Sequence, residues 1–275
     1  MNSTFDATAI ATRFVQARRN AQALPAFPGA LPADLEQGYT IQDAAIAQWP
    51  DAIAGWKVGY IAPHRRDGAG DERLLGPVFG HALWRADDNE RAIVFPVFVG
   101  GFAAVEAEFA FVLAADAPAR KTSWSTEEAA TIVARLHIAV ETAGSPLSTI
   151  NVLGPSVVVS DFGNNAGLIL GAEIHDWAAI DFAQMPCACF IAGHEVGRGS
   201  AASLPGGPLS ALAFALGRNA RRGRPLRAGD VVTTGAATGI HDIRAGEHAL
   251  VDFGRFGSLR CVAVAAQGNE HAHSP

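Results

Sequence analysis

The chain has 275 residues, a formal net charge of -6 and only 17% charged side chains. That charge balance excludes a nucleic-acid binder, which needs a basic face. No apolar run reaches the roughly 18 residues that span a bilayer, and residues 1–11 lack the charged-then-apolar layout of a signal peptide. Apolar residues make up 49%, enough for a large core, and the thinly charged surface predicts a homo-oligomer. The three cysteines, Cys187, Cys189 and Cys261, have no disulfide-framework spacing and predict buried strand thiols in a cytoplasmic protein.

Residues 4–20 predict a helix, with Thr4 or Asp6 as its cap and Ile10, Phe14 and Val15 near one stripe. A Pro/Gly-rich stretch follows over 24–32. Thr40-Ile41-Gln42-Asp43 opens a second helix that ends before Pro50. Residues 53–61 read as a strand in which Gly55 and Gly59 permit close approach, and 64–72 as a polar loop. From Ala92 the texture turns to β. Ile93-Val94-Phe95 and Val97-Phe98-Val99 flank Pro96, and 105–113 alternates. Ser125-Thr126-Glu127-Glu128 is a capping box that starts a helix running to about Leu136. Residues 138–141 read as a strand, and the β-branched run 155–160 as another. A helix over 208–220 carries Leu209, Leu212 and Leu216 on one side. Residues 231–235 form a short strand ending in a turn, 249–253 and 259–265 a closing pair, and the polar tail from Gln267 predicts disorder.

The expected organisation is a helical N-terminal lobe over 1–80, a β-rich metal-binding catalytic body over 81–266 and a tail over 267–275, in the α+β class. The sequence has no GxGxxG, Walker or GxSxG motif, which removes the commonest nucleotide and serine-hydrolase readings.

Chemistry concentrates at Val105-Glu106-Ala107-Glu108-Phe109. With a strand period of two, Glu106 and Glu108 share one face, while Val105, Ala107 and Phe109 take the other. Two carboxylates this close raise each other's pKa unless a cation lies between them. A hard divalent ion resolves the pair, and a solvated edge face is the alternative. Gly100-Gly101 before the run and apolar residues after it favour an interior strand. Glu141, at the end of Leu136-His137-Ile138-Ala139-Val140, is the candidate third ligand.

The order Gly55-Trp56-Lys57-Val58-Gly59, Glu106-Ala107-Glu108, Glu141, then Asp161 with Asn164-Asn165-Ala166-Gly167 resembles the fumarylacetoacetate hydrolase superfamily. Gly207-Pro208-Leu209-Ser210 and Gly229-Asp230-Val231-Val232-Thr233-Thr234-Gly235 extend the likeness over residues 10 to 265. Within that superfamily it is most similar to the 2-keto-4-pentenoate hydratase and 4-oxalocrotonate decarboxylase branch. The resemblance implies a β-rich mixed-sheet body and Mg2+ or Mn2+ held by Glu106, Glu108 and Glu141. It also implies a small-molecule 2-oxo or 2-hydroxydienoate acid as substrate, with Lys57 as the active-site lysine. Lys57 and Lys121 are the only lysines in the chain, and beside a cation Lys57 is expected to have a lowered pKa. Asp161 is a candidate for orienting Lys57 or a water, with an Asx turn as the other reading. Ser160, Thr234 and Gly235 are candidate substrate contacts.

The expected activity is hydration of a 2-hydroxypenta-2,4-dienoate in aromatic-compound catabolism. A 2-oxo diacid decarboxylase is the first alternative, followed by an acylpyruvate hydrolase. A non-catalytic binding or scaffold homologue is the reading from a different class. One departure stands out. The branch often has an Asp-Ser-Arg-like run after the third glutamate, where this chain has Thr142-Ala143-Gly144-Ser145-Pro146 and no basic residue.

Overall fold

A computed structural model describes residues 5–68, 70–86 and 91–268. Helix α1 (Ala7–Arg19) starts at Asp6, whose carboxylate accepts from the Ala9 amide at 3.0 Å. Thr4, the other candidate cap, lies outside the described residues, as does the tail beyond Gly268. Helix α2 (Leu35–Gln48) begins one turn earlier than Thr40 because Asp34 caps it, accepting from the Gln37 amide at 2.9 Å. Strands β1 (Ile53–Tyr60), β2 (Arg73–Phe79), β3 (Leu83–Arg85), β4 (Ile93–Val97) and β5 (Phe102–Leu113) follow.

Next come α3 (Thr126–Ala130), β6 (Val133–Ser145), α4 (Ile150–Leu153), α5 (Pro155–Ser160), β7 (Asn165–Glu173), β8 (Pro186–Ile191) and β9 (His194–Ser200). Helix α6 (Pro208–Arg221) precedes β10 (Val231–Thr233), β11 (His241–Asp242), β12 (His248–Asp252) and β13 (Ser258–Ala265).

Among the described residues the strands form two mixed sheets. The larger runs β2-β1-β10-β5-β6-β7-β3, with β11 also paired to β5. The smaller runs β4-β13-β12-β8-β9. Phe109 and Phe111 of β5 point into the main core, where Phe109 meets Phe253 edge to face at 5.5 Å. Cys187, Cys189 and Cys261 are buried strand thiols in this core, and burial pushes each up to about 12. The class is α+β.

Two expected elements change. The run 155–160 is helical, not a strand: Gly154, at φ 117, turns the chain, and Pro155 occupies the first helical position. The Gln42 side-chain amide then holds the Val159 carbonyl at 2.9 Å. Here tertiary contacts override the β preference of three consecutive valines. The capping box at Ser125 forms as expected, but its helix lasts only five residues instead of reaching Leu136. Thr131-Ile132-Val133 is β-branched, and Val133 already pairs with Leu113. Of the segment 1–80, residues up to 48 carry the two helices, while residues 53–79 pair within the larger sheet.

Candidate metal centre

Register assembles the site. β5 and β6 run antiparallel with Glu106 directly opposite Glu141, and Glu108 opposite Ala139. All three glutamates therefore project from one face of the larger sheet. Lys57 reaches the same face through β1. Gly55 pairs with Val231, Val231 pairs with Val112, and both Glu108 and Lys57 keep the parity of that row. Between β1 and β5, strand β10 has only three residues and ends at Thr233. The gap past its end is where Lys57 meets the carboxylates.

Beyond Thr233 the chain folds over Glu108. The Thr234 and Gly235 amides donate to Glu108 Oε2 at 3.1 and 2.9 Å. Gly235 holds φ 103, and an added Cβ would come within 3.3 Å of the Val58 carbonyl oxygen, so glycine suits this turn. Glu141 Oε1 accepts from Asn165 Nδ2 at 3.0 Å and lies 3.3 Å from Lys57 Nζ.

These contacts use one oxygen of Glu108 and one of Glu141. Glu108 Oε1, Glu141 Oε2 and Glu106 Oε1 are left buried with no hydrogen-bond partner among the described residues. The three carboxylates can place ligand oxygens within 4.8 Å of one another. Unpaired buried carboxylate oxygens are costly, and the three glutamates that carry them are the ones that cluster. Three carboxylates against one ammonium leave a formal charge of two minus, which a divalent cation balances. The all-oxygen donor set suits a hard ion such as Mg2+ or Mn2+.

The electrostatics of the protein alone agree. Burial, and then the neighbouring Glu141, push Glu106 up to about 8 against the opposing pull of Lys57. Burial, with Glu141 and Glu106 beside it, raises Glu108 well above the usual carboxylate range. Lys57 departs from the sequence expectation. Burial pulls it down, but Glu141, Glu106 and Glu108 outweigh that and hold it above its ordinary value. The expected lowering assumed a cation beside the ammonium, whereas the carboxylates by themselves act in the other direction.

A cavity of about 340 Å3 opens on Lys57, Glu106, Thr234 and Gly235, with apolar walls that include Leu74 and Ile240. Two sequence candidates lie elsewhere. Asp161 does not line this cavity. It is buried against Arg18, whose Nε and Nη2 donate to its two oxygens at 2.6 and 3.0 Å, and Ser145 Oγ also donates to it. Ser160 points back along α5, donating to the Ser156 carbonyl at 2.8 Å. Thr234 and Gly235 do line the cavity, and their amides are the ones that donate to Glu108.

Sequence reasoning missed Arg18 and the direct role of Asn165. Arg18 also donates to the Asn165 and Gly144 carbonyls at 3.0 and 2.9 Å. The run 142–146 lacks a basic residue of its own, yet a guanidinium reaches it from α1.

The fumarylacetoacetate hydrolase C-terminal family model matches residues 82–264. The chain belongs to the fumarylacetoacetate hydrolase family. It falls in the branch that holds 2-keto-4-pentenoate hydratases and 4-oxalocrotonate decarboxylases. It is 34% identical over 217 residues to a 2-keto-4-pentenoate hydratase of Burkholderia vietnamiensis, covering 76% of this chain and 78% of that protein. A 2-keto-4-pentenoate hydratase of Paraburkholderia phymatum is 31% identical over 156 residues, which is 57% of this chain and 58% of that one. Among solved structures, the 4-oxalocrotonate decarboxylase from Pseudomonas putida complexed with magnesium and adipate superposes with a TM-score of 0.77 at 19% identity, covering 96% of this chain and all of that one. As a fumarylacetoacetate hydrolase family enzyme, the protein presents its acidic cluster on an interior strand pair. Lys57 lies in an N-terminal segment that the family model does not cover.

Proposed function

We propose that this protein hydrates a 2-hydroxypenta-2,4-dienoate-type acid to a 4-hydroxy-2-oxo acid, with Mg2+ or Mn2+ held by Glu106, Glu108 and Glu141. The observation that carries the proposal is the clustering of three buried glutamates, each with an oxygen unpartnered among the described residues, beside a buried lysine at a cavity. The two hydratases at 34% and 31% identity support this chemistry.

When bound, the cation supplies a chelation point for the carboxylate and 2-oxo group of the substrate and stabilises enolate charge. The chain's own residues do the rest. Thr234 and Gly235 fix Glu108, and Asn165 fixes Glu141. Lys57, shielded from bulk water and 3.3 Å from Glu141, is the proton carrier. Ketonisation removes the 2-hydroxyl proton and delivers one to C5. Water then adds OH at C4 and H at C3. Leu74 and Ile240 limit access of other water to the chain.

A decarboxylase reading has one specific support: Arg65 and Arg73 border the same cavity and are candidates for a second carboxylate. Incubating the protein and Mg2+ with a panel of 2-hydroxydienoates, 2-oxo diacids and acylpyruvates, with products identified by NMR, separates the readings. The proposal expects a 4-hydroxy-2-oxo acid from the monoacid dienoate. Carbon dioxide release from a diacid without hydration would replace it with the decarboxylase. The proposal includes a cytoplasmic homo-oligomer acting in aromatic-compound catabolism, and light scattering checks the oligomer. No described helix is long and apolar enough to cross a membrane.

A further inference from the structure

Residues Phe162, Gly163 and Asn164 have successive φ values of 55, 65 and 55. Left-handed backbone at two non-glycine residues in a row of three is a strained arrangement that persists only where its surroundings enforce it. The enforcement is visible. The Phe162 ring packs edge to face on Phe79 and Trp49 at 5.0 and 5.5 Å. Its carbonyl oxygen lies where a Cβ on Gly76 would come within 2.0 Å. Gly76 is the residue paired with Lys57 across β1 and β2. The strained turn is thereby anchored beside the lysine.

Its consequence is that two consecutive asparagines face different tasks. Asn165 holds Glu141. Asn164, only 2% exposed, lines the cavity. Asn164 Nδ2 donates to Asn151 Oδ1 at 3.0 Å, while its own Oδ1 is buried without a partner. A buried amide oxygen without a donor is costly, and this one belongs to a side chain that lines the cavity.

The two guanidiniums at the cavity each have part of their N–H donors engaged. Arg65 donates to the Asn151 and Val152 carbonyls. Arg73 is held by Glu72 and the Pro205 carbonyl. Asn164 adds an unfilled neutral acceptor to the same lining. Such an acceptor selects an O–H donor and offers nothing to a carboxylate.

We infer that Asn164 is a substrate-contacting residue whose side-chain oxygen accepts a hydrogen bond from the hydroxyl at C4 of the product, and from the water that becomes it. The inference rests on the hydratase reading above and sharpens it to substrates that gain or carry a hydroxyl near Lys57. Addition consumes one water, forms C4–O and C3–H, breaks one O–H bond and the C3=C4 π bond, and involves no redox change.

The test compares affinities by calorimetry with Mg2+ present. The ligands are 2-oxopentanoate, 4-hydroxy-2-oxopentanoate and the diacid 2-oxohexanedioate. Wild type is expected to prefer the hydroxy acid over 2-oxopentanoate by about tenfold, the value of one net hydrogen bond. Asn164→Gly, which tolerates the left-handed backbone, should bring that ratio near one while 2-oxopentanoate affinity changes by less than about twofold, since no polar partner is lost. Asn164→Asp keeps an acceptor and should retain the ratio while weakening both acids. An unchanged ratio in Asn164→Gly overturns the role of Asn164, and so does a diacid that binds wild type more tightly than the hydroxy acid. Failure of wild type to bind any of the three acids removes the 2-oxo acid reading itself, a result distinct from either.

Discussion

Glu106 and Glu141 face each other across β5 and β6 as a directly paired position, both buried, each with an oxygen that no described residue satisfies. Like charges directly opposite on a sheet are destabilising. The pairing is sensible as half of a cation site, completed by Glu108 one pleat away.

Glu106→Gln removes one proposed ion ligand and one ionisable carboxyl from the buried cluster together. Divalent-ion affinity is expected to fall by at least tenfold, the scale on which even supporting groups around a metal matter. In the metal-free state the same variant should melt higher than wild type, because a neutral amide costs less to bury beside Glu141. Calorimetry with Mn2+ and thermal melts in chelator measure both. A metal-free melting point below wild type would show that Glu106 is not electrostatically strained.

Lys57→Met removes the cation paired with Glu141 in the cluster. Turnover should drop by about 10²- to 10⁴-fold, the usual loss for a general acid or base. Divalent-ion affinity should hold or rise, since the ion then faces uncompensated carboxylates. Steady-state kinetics and Mn2+ titration give the two values. Wild-type rates would remove Lys57 from the mechanism.

The pH dependence follows from Glu106, raised from its ordinary 4.5 to about 8. Between those values the folded metal-free protein keeps a proton that the unfolded chain has released. Stability of the metal-free protein should therefore fall as pH rises through that window. Lys57 is raised and stays charged throughout, so it adds no slope there. Binding the ion requires the deprotonated form and should release protons. Melts from about pH 5 to about pH 8 with and without Mg2+ test this; a metal-free melting point that climbs over the window would contradict it.

Asp161→Asn tests the reassignment of Asp161 from catalysis to bracing. Arg18 would lose its buried counter-charge, and stability should fall by about 3–5 kcal/mol. The protein that remains folded should keep most of its turnover per active site, because Asp161 does not line the cavity. Denaturant melts paired with active-site-normalised rates decide. A stable variant without turnover would return Asp161 to the mechanism.

Asn165→Ser shortens the side chain that holds Glu141 Oε1. A loss of about 10- to 100-fold in divalent-ion affinity is expected, with little change in melting of the metal-free protein. Equal affinity in the variant and wild type would make the contact incidental.

Much of the site was legible because period two is a geometric fact: Glu106 and Glu108 had to share a face, and a third carboxylate had to come from a neighbouring strand. Glu141 followed from its place at the end of an apolar run. The helix at 155–160 was not legible, since its valines favour extended chain and only packing against α2 decides otherwise. Asp161 misled for a related reason. Its partner Arg18 lies 143 residues away in sequence, and no local pattern announces a pair that distant. The left-handed turn at 162–164 was visible only as the turn-like run Phe162-Gly163-Asn164-Asn165, without the Gly76 contact that gives it meaning.

The most direct measurement is calorimetric titration of Mn2+ into wild type, Glu106→Gln, Glu108→Gln and Glu141→Gln, each with and without a 2-oxo acid. The account predicts one ion per wild-type chain, tighter 2-oxo acid binding in its presence, and loss of both in all three variants. Stoichiometric Mn2+ binding that survives all three substitutions, or 2-oxo acid binding indifferent to the ion, would contradict it.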